Sequence, residues 1–232
     1  MLIVVGLAFE ARIAAQSGLP VVCAGNRGDL DAALGDAIDP TCQGLISFGV
    51  AGGLRPGLKP GTCIVGTAVA TAGRRFTTDA RWSERLLQRL PHAVAGIVAG
   101  VPQPVTTAAA KAALHRDTGA DAVDMESHIV AASAAQHRLP MAVIRVICDP
   151  AARALPDMAL RSVRADGTTN VMTLLGSIAR QPRHLPAMIR LALDARSARA
   201  GLQHCGRLLG PRLGLPGLAE TAWREPVRVG AG

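Results

Sequence analysis

The chain is 232 residues long, enough for one large α/β domain with a well-buried core and too short for two comfortable ones. Its hydrophobic half is mostly aliphatic, with no Tyr, three Phe and two Trp, so aromatic stacking cannot dominate a binding site and the interleaved aromatics of a nucleic-acid groove are missing. The net charge of +8 is unevenly placed: residues 1–150 carry 13 basic against 12 acidic side chains, and residues 151–232 carry 12 against 5, a near-neutral body followed by a basic C-terminal segment.

Residues 2–5 are a short apolar run ending at Gly6, and 10–16 reads as an Ala-rich helix; strand, glycine turn and helix open many α/β folds. The opening run meets Glu10 and Arg12 too soon to be a leader peptide or a membrane span. A second strand is expected at 20–24 and a short helix at 29–34. A third, buried strand at 44–50 is bounded by Pro40 and by a glycine turn at Gly52 and Gly53. Residues 54–61 are a loop by their Pro and Gly punctuation, and strand character resumes at 63–71. A helix at 79–90 puts Trp82, Leu86, Leu87 and Leu90 on one face, with Arg81, Glu84, Arg85 and Arg89 around it.

A strand at 95–101 and a helix at 107–115 come next. Val123 and Met125 then alternate with Asp124 and Glu126 as in a strand, while Ile129, Val130, Ala132 and Ser133 continue at helical spacing, so the acids stand at a strand-to-helix junction around a methionine that reads as buried. Residues 141–147 are apolar apart from Arg145 and lead into Cys148, Asp149 and Pro150. Helices are expected at 168–179 and 184–196, the second with Leu185, Met188, Ile189 and Ala192 on one face and Arg183, Arg190 and Arg196 nearby. Beyond Gly206 no regular element is specified, and the chain after about Gly214 reads as loose.

The expected fold is therefore a single α/β domain, a central mixed β-sheet flanked by helices, over residues 1–200, with a basic Gly/Pro/Leu-rich tail over 201–232. The five cysteines are far apart and lack metal-binding or redox spacing, so reduced thiols, no metal and a cytoplasmic protein are expected.

Three stretches fall at the ends of expected strands, 6–10, 49–53 and 124–126, and Asp149 supplies a fourth at the place where α/β folds hold ligands. Each has a local explanation as well. Asp124 or Ser127 can cap a helix, Glu10 and Glu126 can decorate first turns, Met125 can be core, and the glycines can make a plain turn.

The ordered set Ser47-Phe-Gly-Val-Ala-Gly-Gly-Leu54, Ala122-Val-Asp-Met-Glu-Ser127 and Arg145-Val-Ile-Cys-Asp149 resembles the purine nucleoside phosphorylase and methylthioadenosine nucleosidase superfamily. Within it, GLAFEARIA at 6–14 and DMESH at 124–128 are most similar to the hopanoid-associated phosphorylases, which act on the lipid nucleoside adenosylhopane. The resemblance implies an enzyme, a nucleoside phosphorylase or nucleosidase, that cleaves the N-glycosidic bond of an adenine nucleoside and releases adenine. Phosphate is the first expected acceptor and co-substrate, water the second, and no cofactor is implied. Hydrolysis of methylthioadenosine or adenosylhomocysteine, and non-catalytic nucleoside binding, are the rival readings.

Breaking a ribose-to-base bond builds positive charge on the sugar and negative charge on the base, so an acid is needed at the base and acceptors along the sugar. By resemblance, Asp149 is the acid at N7 of adenine, Glu126 accepts from the ribose hydroxyls, and Met125 packs on the apolar face of the sugar. Asp124, Val50, Ala51 and Gly52 complete the substrate contacts. Glu10 positions or deprotonates water, or sits beside phosphate if arginine is near.

The chain departs from the family pattern at four positions. Val50 stands where Ser or Thr is common and Ser47 where phosphorylases often have arginine, leaving Arg12, Arg27, Arg55 and Arg74 as substitutes; Asp124 replaces Glu and Cys148 replaces Ser. The resemblance also implies a homo-oligomer. The basic C-terminal segment is read either as a peripheral membrane contact suited to a lipid substrate or as a terminal helix with a solvated cationic side.

Overall fold

Aliphatic runs with no polar alternation become strands covered on both faces, because only burial on both sides removes all of their surface from water. The computed structural model describes residues 1–26, 29–155, 185–214 and 227–228. Its strands are β1 (Leu2–Val5), β2 (Val21–Cys23), β3 (Leu45–Gly53), β4 (Cys63–Thr71), β5 (Arg74–Thr77), β6 (Val94–Gly100), β7 (Ala122–Asp124), β8 (Met141–Asp149) and β9 (Val227–Arg228). The helices are α1 (Ala8–Ala14), α2 (Leu30–Ala37), α3 (Ala80–Arg89), α4 (Ala108–Thr118), α5 (Ser127–Gln136) and α6 (Leu185–Leu209). Capping fixes several starts: Asp29 accepts from the amides of Asp31 and Ala32, Asp79 from that of Trp82, and Thr107 from that of Ala110.

The strands form one mixed sheet in the order β2-β1-β3-β7-β6-β4-β5-β9, and β8 bridges β3 and β4. The β3, β8, β4, β6 and β7 pairings thus close on themselves. One core layer packs Val4, Leu45, Val143 and Ile147 against Leu30, Leu34, Val130 and Ala134 of α2 and α5. The other packs Ile3, Phe48, Ile144 and Val146 against Ile13, Trp82, Leu86, Leu202 and Leu209 of α1, α3 and α6. The protein is a single α/β domain with a mixed sheet flanked by helices. No described helix is long and apolar enough to cross a membrane.

Three expectations are corrected. Strand β3 does not end before a glycine turn but runs through Gly53, because Gly52 and Gly53 pair with Val123 and Ala122 of β7. Helix α6 extends to Leu209, past both the expected helix end at 196 and the domain boundary at 200, because Ala198, Leu202, Cys205 and Leu209 are core residues. Strand β5 was not expected; a turn with Gly73 at φ 72° folds it back on β4. The helix expected at 168–179 lies outside the described residues, as does most of the chain after Gly214.

Candidate active site

Arg145 organises the site. It stands in the middle of β8 opposite Gly49 of β3, is completely buried, and therefore has to find its counter-charges inside the protein. Its Nε lies 2.5 Å from Asp124 Oδ2 at the end of β7. Its Nη2 donates to Ser47 Oγ at 2.6 Å, to Ser127 Oγ at 3.3 Å and to Glu126 Oε2 at 3.4 Å. Nη1 is buried with no hydrogen-bond partner among the described residues. Burial alone would lower the guanidinium pKa, but Asp124, Glu126 and Glu10 together hold it above its ordinary value.

Glu10 reaches the same place from the first turn of α1. Its Oε2 accepts from the amides of Gly6 and Leu7, both at 2.8 Å, and its Oε1 from the amide of Val50 at 2.7 Å. Satisfying orphan donors at a helix start holds the carboxylate inward, where the sequence alone allowed it to face solvent. Burial raises its pKa, with Arg145 and the three amides opposing. A Cβ added at Gly49 would lie 2.5 Å from Arg145 Nη1 and 2.6 Å from Glu10 Oε1, so only glycine lets both charged groups approach this backbone.

Asp124 and Glu126 flank the turn into α5 and differ in environment. Asp124 Oδ1 accepts from the amides of Ser127 and Glu126, and Oδ2 from the Ser127 hydroxyl, so both oxygens are engaged within the protein. Glu126 keeps a partly exposed carboxylate whose Oε1 would meet a Cβ at Gly6 at 2.5 Å. Burial, opposed by Arg145 and reinforced by Asp124 and Glu10, pushes its pKa up to about 7. Met125 is 42% exposed rather than buried, because β7 stops at Asp124 and the turn directs its side chain outward.

Asp149 closes β8. A register shift sets Ala51 opposite Ile147 and Gly52 opposite Asp149, leaving Cys148 as the extra residue. Both Asp149 carboxylate oxygens lie 3.5 Å from where a Gly52 Cβ would be. The ammonium of Lys111, from α4, contacts Asp149 Oδ2 and also donates to the carbonyls of Pro150 at 3.2 Å and Arg153 at 3.0 Å. Burial raises the Asp149 pKa, and Lys111 pulls it back. Burial, then the fields of Asp149 and Glu10, push the Cys148 thiol up to about 12, with Lys111 opposing.

Thus Glu10, Glu126 and Asp124 gather around Arg145, with Val50 binding Glu10 and Gly52 beside Asp149; Ala51 is a core residue. Of the substitute arginines, Arg12 is exposed, Arg55 pairs with Asp121 at 3.3 Å and Arg74 lies over the Phe76 ring. Arg27 lies outside the described residues. Sequence reasoning missed Arg145, Ser47, Ser127 and Lys111 as members of the site. A charge or hydroxyl inside an otherwise apolar strand was the available signal for Arg145 and Ser47.

A sequence model described as phosphorylase superfamily matches residues 30–180. Among solved structures, the 5′-methylthioadenosine/S-adenosylhomocysteine nucleosidase of Neisseria meningitidis, in complex with methylthio-immucillin-A, is 16% identical with a TM-score of 0.64, covering 90% of this chain and 97% of that one. The corresponding Campylobacter jejuni nucleosidase is 16% identical with a TM-score of 0.62, covering 89% and 96%. Futalosine hydrolase of Helicobacter pylori is 18% identical with a TM-score of 0.60, covering 87% and 94%. These likenesses show the fold. No curated protein matches the chain.

Proposed function

We propose, from the premise that this chain belongs to the phosphorylase superfamily, that it is an enzyme cleaving the N-glycosidic bond of an adenine nucleoside and releasing adenine. The observation that carries this reading is the pair of carboxylate centres joined through β3 and β8: Glu126 and Glu10 around Arg145 at one end, and Asp149 beside Gly52 at the other.

The chemistry follows from charge. Ionised Glu126 accepts from the ribose hydroxyls and stabilises the cationic ring, while exposed Met125 next to it covers the apolar face of the sugar. Asp149, whose hold on its proton is raised by burial and drawn back by Lys111, gives that proton to N7 as the pair of electrons from the C1′–N9 bond moves into the base. Glu10, its basicity raised by burial and its geometry set by three amides, takes a proton from the attacking water.

Water is the acceptor that the charge balance favours. Among the described residues three carboxyl groups surround one guanidinium, so a phosphate dianion would meet more acidic groups than basic ones there. Phosphorolysis, which the resemblance implies, is the second reading. It rests on Arg145 Nη1, which has no hydrogen-bond partner among the described residues.

Adenosylhopane is the substrate we favour, from the resemblance at 6–14 and 124–128 and from the exposed apolar and cationic side of α6, which suits contact with an anionic membrane. Methylthioadenosine and adenosylhomocysteine are the alternatives, since two of the similar structures are nucleosidases for them. The test is incubation of the purified chain with each nucleoside, with and without phosphate. Adenine release independent of phosphate is expected; release only with phosphate would make the enzyme a phosphorylase, and no adenine under any condition ends the reading.

A further inference from the structure

The chain has only two lysines, Lys59 and Lys111, among 25 basic residues. Lys59 is exposed in the loop before β4, whereas Lys111 is completely buried and is the only buried side chain of α4. A lone ammonium in such a place costs several kcal/mol unless its charge and all three N–H groups are matched. The three donors are matched here by Asp149 Oδ2 and the carbonyls of Pro150 and Arg153, and the charge is matched in full when Asp149 is ionised. Arginine could not serve in its place, because a planar fork cannot direct its donors at three acceptors clustered around a single point.

Resting on the reading of Asp149 as leaving-group acid, we infer that Lys111 is the positioning residue for that acid: it occupies Oδ2, leaves Oδ1 to carry the proton, and stabilises the carboxylate that remains once the proton has gone to N7. At C1′ the attacking water forms the new bond as the bond to N9 breaks, and its proton goes to Glu10. Asp149 passes from carboxyl to carboxylate, N7 gains the proton, the base takes the bond electrons, and the carboxylate regains a proton from solvent after adenine departs.

The same ammonium fixes the loop that follows the acid. It grips Pro150 and Arg153 through their carbonyls, and the guanidinium of Arg153 pairs with Asp194 of α6. The acid is therefore held at its side chain and along the next four residues, a geometry fixed before substrate arrives.

The experiment compares Lys111→Met and Lys111→Gln with the native chain on two substrates sharing one 5′ group, an adenine nucleoside and a 4-nitrophenyl riboside whose leaving group departs without a proton. For the adenine nucleoside, kcat/KM should fall about 100-fold, and for the nitrophenyl riboside by no more than about threefold. The alkaline limb of the pH profile should move upward, since the cation favouring the ionised acid has been removed. Equal losses on both substrates with an unmoved limb would reduce Lys111 to a loop support and overturn the inference.

Asp149→Asn separates this from the underlying reading: if that variant keeps full activity on the adenine nucleoside, it is the assignment of Asp149 that fails. Should neither lysine variant fold, the native chain labelled with 15N at lysine Nζ still decides. A protected ammonium resonance that shifts in Asp149→Asn is expected, and the lack of one overturns the inference.

Discussion

At the scale of the residue, the site is a problem in burying charge, and Arg145 shows how it is solved. One guanidinium faces three carboxylates: Asp124, with both oxygens bonded inside the protein, is its structural counter-ion, while Glu126 is left partly exposed with its pKa pushed up to about 7. A carboxyl raised from 4.5 in the unfolded chain to about 7 in the folded one binds its proton more tightly when folded. The stability this contributes is fully present below the unfolded value and is lost as pH rises through the folded one. Glu126→Gln removes that dependence, so its stability relative to the native chain should improve by about 1–3 kcal/mol between pH 5 and pH 8, measured by urea unfolding. The same variant should lose about 100- to 1,000-fold in kcat, since in the proposed mechanism the lost charge is the one that faces the sugar. In the native enzyme kcat/KM should rise with pH across 7 as Glu126 ionises. The carboxylates of this cluster were legible in the sequence because, each with a local explanation of its own, together they fall at the ends of expected strands, where α/β folds hold ligands. The cations were not legible: an arginine in an apolar run demands a partner without naming it, and an Ala-rich helix gives no periodic sign that its lysine points inward.

At the scale of the element, apolar runs closed by Gly and Pro identified every strand that builds the closed part of the sheet except β7, whose alternation was read on to Glu126, two residues past its end. Helix α6 was legible only over its first half, and its packing explains why. Gly201 sits on the backbone of Gly61, where a Cβ would come 2.8 Å from the Gly61 carbonyl oxygen, so the helix carries small residues where a periodic pattern would show large ones. Its outer side holds Ile189 and Leu193 in the open, which blurs the contrast between faces further. Two substitutions in this helix have opposite signs. Gly201→Ala gains about 1 kcal/mol of helix propensity but presses on backbone that cannot yield, and overpacking of this kind costs about 1–3 kcal/mol. The thermal midpoint should fall by about 2–4 °C if the net loss is near 1 kcal/mol. At Gly206 the same Cβ would stand 3.5 Å from Ile13 Cγ2, an ordinary contact, so Gly206→Ala should leave the midpoint unchanged or raise it. Equal shifts for the two variants, measured by calorimetry, would mean that the close approach of α6 to Gly61 does not hold in solution.

At the scale of the whole molecule, the charge imbalance of the sequence becomes a surface. Of the ionisable residues on α6 the one acid, Asp194, turns inward to Arg153, whereas Arg190, Arg196, Arg199 and Arg207 are exposed. Ile189 is 52% and Leu193 57% exposed on the same helix, one turn apart. A helix presenting cations around two bare aliphatic side chains, with no exposed acid to repel lipid phosphates, fits the headgroup region of an anionic bilayer. Each arginine there contributes about 1 kcal/mol, and two inserted aliphatic side chains add a comparable apolar part. The chain should therefore sediment with vesicles containing phosphatidylglycerol and not with pure phosphatidylcholine, and binding should weaken as salt is raised. Ile189→Asp combined with Leu193→Asp should abolish it with the thermal midpoint unchanged, since both positions are already exposed. If the double variant instead turns an oligomer into a monomer while vesicle binding is absent throughout, this face is a contact between copies of the chain. A lipid nucleoside would then have to reach Glu126 and Asp149 without the enzyme resting on the membrane that holds it.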